Sequence, residues 1–279
     1  MSLVILGIVN ITEDSFSDGG RYLDASAAIA HARAMAGHGA DVLDLGAAAS
    51  NPNAKHVSPD REIARLAPVA EALKSEGHAV SIDSFSPAVQ SWALSQGVDY
   101  LNDIQGFPHA EIYPELAASR CKLIVMHAVQ GLGRATQTDV PPGQIMDRIK
   151  RFFEQRIAAL VMAGIARARL ILDPGMGFFV GSNPQTSLTV LQGLPELKAA
   201  FELPLLVSVS RKSFLRAVTG RSAGRAGAAT LSAELFASDQ GTDYIRTHDP
   251  AALKDALAVQ SACRGTPTGL GRPTFTDNP

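Results

Sequence analysis

The chain has 279 residues, 46% of them apolar, which is enough for a sizeable core in one domain or two. Charged residues make up 19% and leave a net charge of −2, which excludes the one-signed surface that nucleic acid or an anionic membrane requires. Only Cys121 and Cys263 are present, neither with a second cysteine at metal-ligand spacing, so no disulfide framework is expected and a reducing, cytoplasmic compartment suits the chain. From the N-terminus, Met1-Ser2-Leu3-Val4-Ile5-Leu6-Gly7 lacks a basic stretch and reads as a strand, so no signal peptide is expected. No apolar run approaches the ~18 residues of a membrane span. The expected strands are Leu3–Ile8, Val42–Leu45, Val80–Asp83, Tyr100–Asp103, Leu123–His127, Leu170–Asp173, Leu205–Ser208 and Tyr244–Arg246. They are continuous apolar runs, as strands buried on both faces should be. Helical stretches lie between them. Ser58-Pro59 is an N-cap with Pro at N1, and Ile63, Leu66, Val69, Ala70 and Leu73 form one stripe. Ser86-Pro87 opens another helix, closed by Gly97; a later stripe takes Ile145, Ile149, Phe152, Ile157, Leu160 and Val161. A weak repeat, Gly39-Ala40-Asp41, Gly97-Val98-Asp99 and Gly241-Thr242-Asp243, puts a glycine fit for a helix C′ position before a strand. Eight such units without a break predict a single (β/α)8 TIM barrel over residues 1–263, with a loose Gly-, Pro- and Thr-rich tail over 264–279. An open doubly wound sheet is the alternative, but no Gly-x-Gly-x-x-Gly follows the first strand.

Barrels carry their chemistry where strands end and βα loops begin. Nearly every expected strand here ends in a capable side chain: Asn10, Asp83, Asn102 and Asp103, His127, Asp173, Ser210-Arg211-Lys212-Ser213, and Arg246 with His248. Asp103 and His127 have an equally good reading as groups that satisfy loop backbone, and that choice stays open. The remaining types divide in two. Asp83, Asn102 and Asp173 can pair with a flat nitrogen heterocycle, a carboxylate taking two N–H donors from a guanidine-like ring edge. Asn10, Arg246 and His248 suit a phosphate or pyrophosphate, and Asn10 offers a hard oxygen to Mg²⁺. Glu13 and Asp14 follow in the same first loop, where a carboxylate beside phosphate needs a cation between them; a solvated acidic loop is the other reading. These residues point to a nitrogen heterocycle bearing a phosphorylated leaving group.

Gly7-Ile8-Val9-Asn10-Ile11-Thr12-Glu13-Asp14-Ser15-Phe16-Ser17-Asp18-Gly19-Gly20, Asp173-Pro174-Gly175-Met176-Gly177-Phe178 and Ser210-Arg211-Lys212-Ser213 resemble three signatures of dihydropteroate synthases. The resemblance continues, in order, through Ser81-Ile82-Asp83-Ser84, Asn102-Asp103-Ile104 and Ile245-Arg246-Thr247-His248. It implies a folate-pathway transferase that joins p-aminobenzoate to 6-hydroxymethyl-7,8-dihydropterin pyrophosphate, commonly as a homodimer. By the same resemblance Asp83, Asn102, Asp173 and Lys212 hold the pterin, with Met126 and Phe178 against it, and Asp83, Asp173 and Lys212 serve catalysis. Asn10 is the Mg²⁺ ligand, and Asn10, Arg246 and His248 hold pyrophosphate. Ser213, Ser50 and Pro52 meet p-aminobenzoate.

The chain departs from the family pattern in two loops. The loop after the second strand usually reads Gly-Glu-Ser-Thr-Arg-Pro; here it is Ala47-Ala48-Ala49-Ser50-Asn51-Pro52, which puts its anion-binding arginine in doubt. The loop after the sixth strand carries Phe179 where Gly then Lys is common. With Gln105-Gly106-Phe107-Pro108, these departures resemble the mobile sulfonamide-resistant (Sul-type) members, and Phe178 and Phe179, or secondarily Phe107, are candidates for a wall that separates drug from substrate. Two other functions stay open at this level: a pterin-binding methyltransferase acting with methyltetrahydrofolate, and a non-catalytic pterin-binding protein. The first has no need of the Asp14–Asp18 loop or the Arg246-x-His248 pair, and the loss of the loop arginine would permit the second.

Overall fold

The structure is a computed structural model, and it describes residues 3–12, 25–48, 56–130, 138 and 140–265. In chain order the elements are β1 (Val4–Asn10), α1 (Ala25–Gly37), β2 (Val42–Gly46), α2 (Pro59–Ser75), β3 (Val80–Asp83), α3 (Pro87–Ser95), β4 (Tyr100–Asp103), α4 (Tyr113–Ala118), β5 (Lys122–Met126), α5 (Pro142–Met162), β6 (Leu170–Asp173), α6 (Pro184–Gln192), α7 (Leu194–Phe201), β7 (Leu206–Val207), α8 (Ser213–Thr219), α9 (Gly227–Asp239), β8 (Tyr244–Thr247) and α10 (Pro250–Cys263). The eight strands form one parallel sheet in the order β6-β5-β4-β3-β2-β1-β8-β7. A parallel bridge between Leu172 and Leu205, with Leu172 N–H donating to Pro204 O at 2.9 Å, joins the two edges. The expected barrel is therefore what forms. Gly39, Gly97 and Gly241 all take positive φ, 95°, 64° and 86°, where each helix gives way to the next strand.

Side chains alternate across each strand, so every second residue enters the barrel. Leu6, Val42, Tyr100, Ile124, Ile171, Leu206 and Tyr244 pack together as a plug, its lower end covered by Lys122, whose Nζ lies 5.3 Å from the Tyr100 ring centre. The other face of the strands packs on the helices in the larger core, which includes Leu66, Val69, Ala70 and Leu73 of α2. Ser58 caps α2 by accepting from Arg61 N–H at 3.4 Å. Ser86 precedes α3 but makes no side-chain cap. The expected α5 stripe needs revision. Ile145, Ile149, Phe153 and Leu160 are its buried residues, whereas Val161 is 41% exposed. At 100° per residue Val161 lies about 160° around the helix from Ile145, on the opposite face. Phe152 is only half-buried and stands edge-on to His127, ring centres 5.2 Å apart.

No helix among the described residues is long and apolar enough to cross a membrane. Ser50, Asn51, Pro52, Glu13, Asp14 and the tail beyond residue 265 lie outside the described residues.

Candidate active site

Two residues above most of the plug, the same inward phase carries polar groups, Ile8 above Leu6 and Met126 above Ile124 being the apolar exceptions, and on β3 it runs through Ser81. Val42 leads to Asp44, Ser81 to Asp83, Tyr100 to Asn102, Ile171 to Asp173, Leu206 to Ser208 and Tyr244 to Arg246. One further step reaches Ser210 and His248, with Asn10 at the top of β1. The sheet register sets these side by side, Asn10 opposite Gly46 and Asp83 opposite Asn102. The expected rim thus assembles, and nothing but the closure of β8 onto β1 brings its last members to it.

The centre of the layer is Arg246. Its Nε donates to Asp44 Oδ2 at 2.5 Å and its Nη2 to Asp83 Oδ2 at 2.6 Å. Burial opposes the guanidinium charge, but the two carboxylates outweigh it and hold its pKa above the ordinary value. Asp44 is wholly buried, and the Nδ2 of Asn102 lies 3.5 Å from the same oxygen. Burial pushes the Asp83 carboxyl up, against the pull of Arg246; Asp44 and Glu62 add to the rise. Asp173, 3% exposed, accepts from the Gly175 N–H at 2.8 Å on Oδ1, and burial raises its pKa to about 6. Gly175 has φ 76°, and a Cβ there would overlap the His127 carbonyl oxygen, so the turn that presents Asp173 requires glycine.

Lys212 arrives from the other side. Arg211 takes φ 59° and its N–H donates to Thr230 Oγ1 at 3.1 Å, a turn that brings the lysine over the barrel mouth. Its Nζ stands 5.0 Å from the Phe179 ring centre. Burial and then Arg246 lower the Lys212 pKa to about 8, with Asp173 and Asp83 resisting. Ser213 starts α8 beside it, and Gly177 of the β6 loop packs within reach of both Lys212 and Ser213. His248 takes a hydrogen bond with Ser210, Nδ1 to Oγ 2.9 Å, while its backbone N–H donates to the same hydroxyl at 3.2 Å. Burial, then Arg211, Arg246 and Lys212, hold the imidazole down to about 3, so it is neutral at pH 7.

Over the carboxylates sits an apolar cluster of Ile104, Met126, Ala128 and Phe179, with Phe85 and Phe178 packed against it. Met126 and Phe178 therefore stand together beside the layer. Phe179 is buried under Lys212, while Phe178 is half-buried. Phe107 does not join them: it is fully buried in the core between barrel and helices, and its carbonyl accepts from Tyr113 Oη at 2.9 Å. Its candidacy as a drug-facing wall is withdrawn.

Asp103 and His127 resolve toward backbone support. Each follows an inward residue, Asn102 or Met126, and so faces the helices. Asp103 accepts from the N–H groups of Gln105 and Phe107 at 2.8 and 3.0 Å and from Gln90 Nε2 at 3.0 Å. This holds a loop in which Gly106 and Phe107 both have positive φ. His127 Nδ1 lies 3.1 Å from Pro174 O, and burial drives its pKa down to about 4.

Two features escape a search confined to strand ends. Asp44 stands inside β2 rather than at its end, and the two-residue phase from Val42 is the signal that marks it. Arg246 belongs with the carboxylates as much as with an anion site. Among the described residues no group of three or more His, Cys, Asp or Glu forms a metal site. Asn10 is half-buried, and its side chain has no hydrogen-bond partner among the described residues.

A family model described as pterin binding enzyme matches residues 6–248. The dihydropteroate synthase type-2 of Escherichia coli is 62% identical over 265 residues, 95% of this chain and 97% of that protein. Among solved structures, Xanthomonas albilineans dihydropteroate synthase with 4-aminobenzoic acid superimposes with a TM-score of 0.86 at 35% identity, covering 95% of this chain and 94% of that one. The same enzyme in complex with 7,8-dihydropteroate gives 0.83 at 34% identity, covering 95% of both chains.

Proposed function

The chain belongs to the pterin-binding enzymes, among the dihydropteroate synthases, and from that premise we propose how its rim divides the work. The reaction condenses 6-hydroxymethyl-7,8-dihydropterin pyrophosphate with p-aminobenzoate to 7,8-dihydropteroate and pyrophosphate. Asp173, Asn102 and the open edge of Asp83 take the ring N–H groups and guanidine-like edge of the pterin, while Met126, Phe178 and Phe179 supply an apolar face. Lys212 donates to the ring from above. The observation that carries this reading is the inward polar layer set directly on an apolar plug: several buried carboxylates around one arginine are costly unless a ligand of matching donors satisfies them.

His248, Ser210 and Arg246 lie toward the pyrophosphate. The neutral His248 offers one donor, and an arriving anion offsets the cations that keep it neutral. Departure of pyrophosphate breaks the C–O bond and leaves a cation spread over the pterin ring, which the Asp173 carboxylate stabilises. The amine of p-aminobenzoate, its carboxylate held at Ser213, then forms the C–N bond and gives up one proton. No protein nucleophile is needed. Mg²⁺ fits Asn10: a free amide oxygen is a suitable single protein ligand for an ion otherwise held by phosphate oxygens and water, and there it would neutralise the leaving group.

The sulfonamide-tolerant reading rests on the β6 loop. Phe178 is half-buried beside the start of α8, where the tetrahedral sulfur and its substituent would pass but a planar carboxylate would not. A homodimer fits the exposed Val218 and Phe236 that line an apolar groove of α6, α8 and α9. The free thiols Cys121 and Cys263 suit the cytoplasm. The test is complementation of a host lacking its own dihydropteroate synthase, with and without a sulfonamide, alongside pyrophosphate release in vitro. Growth that requires p-aminobenzoate and survives the drug is expected; pterin binding without pyrophosphate release overturns the reading.

A further inference from the structure

Asp44 takes no part in the division of labour above, yet it is the most deeply buried carboxylate of the layer. It stands midway along β2, in register with Ile8 of β1 and Ser81 of β3. Its Oδ2 holds the Nε edge of Arg246 at 2.5 Å, and its Oδ1 has no partner. Arg246 gives a second nitrogen, Nη2, to Asp83 Oδ2 at 2.6 Å. The guanidinium is thus shared between two carboxylates that come from neighbouring strands. Asp83 is the more accessible of the two, 20% exposed against 0% for Asp44, and its Oδ1 accepts no bond among the described residues.

A guanidinium left with one carboxylate closes a bidentate pair and occupies both of its oxygens. If Asp83 were the sole counterion, a ligand N–H could reach it only by displacing Arg246, and that would strand a buried cation. The second carboxylate removes the conflict. With Nε anchored on Asp44, Arg246 is held to Asp83 by one nitrogen alone, and Asp83 can turn to a ligand while the charge of the guanidinium stays paired.

We propose that Asp44 is a positioning residue that anchors Arg246 and so keeps Asp83 available to the pterin ring. The proposal rests on the reading of Asp83 as a pterin ligand. Asp44 touches no substrate in it; its effect passes wholly through Arg246.

The test is a binding cycle with 6-hydroxymethylpterin, which carries no pyrophosphate, measured by calorimetry on Asp44→Asn, Arg246→Met and the double variant. Asp44→Asn keeps the side-chain volume and removes the anchor. It should weaken pterin binding roughly 10- to 100-fold, the cost of losing one charge-assisted contact, while the KM for p-aminobenzoate stays within about threefold. In the Arg246→Met background the same change should alter affinity by less than about twofold, since the residue it acts through is gone. A full Asp44→Asn loss that persists in that background overturns the proposal, because Asp44 then acts on the pterin or the fold directly; so does wild-type affinity in the single variant. Arg246→Lys covers the case in which Asp44→Asn fails to fold. A lysine ammonium has one nitrogen where Arg246 uses two, so it should weaken pterin binding as Asp44→Asn would, and wild-type affinity there also overturns the proposal. Asp83→Asn tests the underlying reading by itself: unchanged pterin affinity in that variant removes Asp83 from the pterin site whatever Asp44 does.

Discussion

Replacing Asp173 with Asn tests the centre of the proposed chemistry. The carboxylate is 3% exposed, and its Oδ1 already accepts from the Gly175 N–H at 2.8 Å. An amide in this place has one acceptor oxygen and one donor nitrogen. With the oxygen toward Gly175, the amide nitrogen faces the pterin donors; in the flipped orientation it faces the Gly175 N–H. Either way one donor meets another. Losing a charge-assisted bidentate contact costs roughly 2–4 kcal/mol, about 30- to 1000-fold in kcat/KM. A second effect adds to it. The Asp173 charge is one of those that resist the fall of Lys212 to about 8, so the lysine is less protonated near neutral pH in the variant. Folding should not suffer, because burial already disfavours the ionised carboxyl, with its pKa raised to about 6. The assay is steady-state pyrophosphate release together with calorimetric pterin binding, with the melting temperature as control. A folded variant whose kcat/KM lies within threefold of the parent refutes the assignment.

Four further expectations follow from the same geometry. His248→Ala should weaken pyrophosphate more than pterin, and pyrophosphate should raise the His248 pKa from its value of about 3, seen as an imidazole NMR shift; an unmoved resonance contradicts its place at the anion. Activity should disappear in EDTA and return with Mg²⁺; full activity in EDTA removes the metal from Asn10. His127, lowered to about 4, stays neutral in the folded state while its unfolded counterpart takes a proton below about 6.5, so its contribution is present above that pH and is lost as pH falls toward 4. The stability gap between the parent and His127→Asn should therefore narrow by on the order of 2–3 kcal/mol over that window in urea titrations, and a constant gap would count against a neutral buried imidazole. Phe178→Ala should bring the sulfonamide Ki down toward the KM for p-aminobenzoate by a larger factor than any loss of kcat/KM from its place against the pterin; a parent enzyme already inhibited at that level ends the wall hypothesis.

Much of the fold is local and so could be read along the chain. Apolar runs such as Val80–Asp83 and Leu170–Asp173, each followed by a capped or glycine-closed helix, mark βα units because backbone preference and burial act within a few residues. The polar residues that end those runs mark the rim for the same reason, since a barrel directs strand ends to one face. The alternation within each strand was also present: it separates Asn102 from Asp103 and Met126 from His127, one of each pair turning inward and the other toward the helices. Which inward groups touch was not written locally. Arg246 meets carboxylates 202 and 163 residues away, and Phe107 and Phe179, both aromatics in βα loops, end in different cores. Those outcomes depend on barrel closure, which sets β8 against β1, and on burial, which makes a lone buried arginine untenable and so pairs it with Asp44, an aspartate that looks ordinary in its strand until the strands beside it are in place.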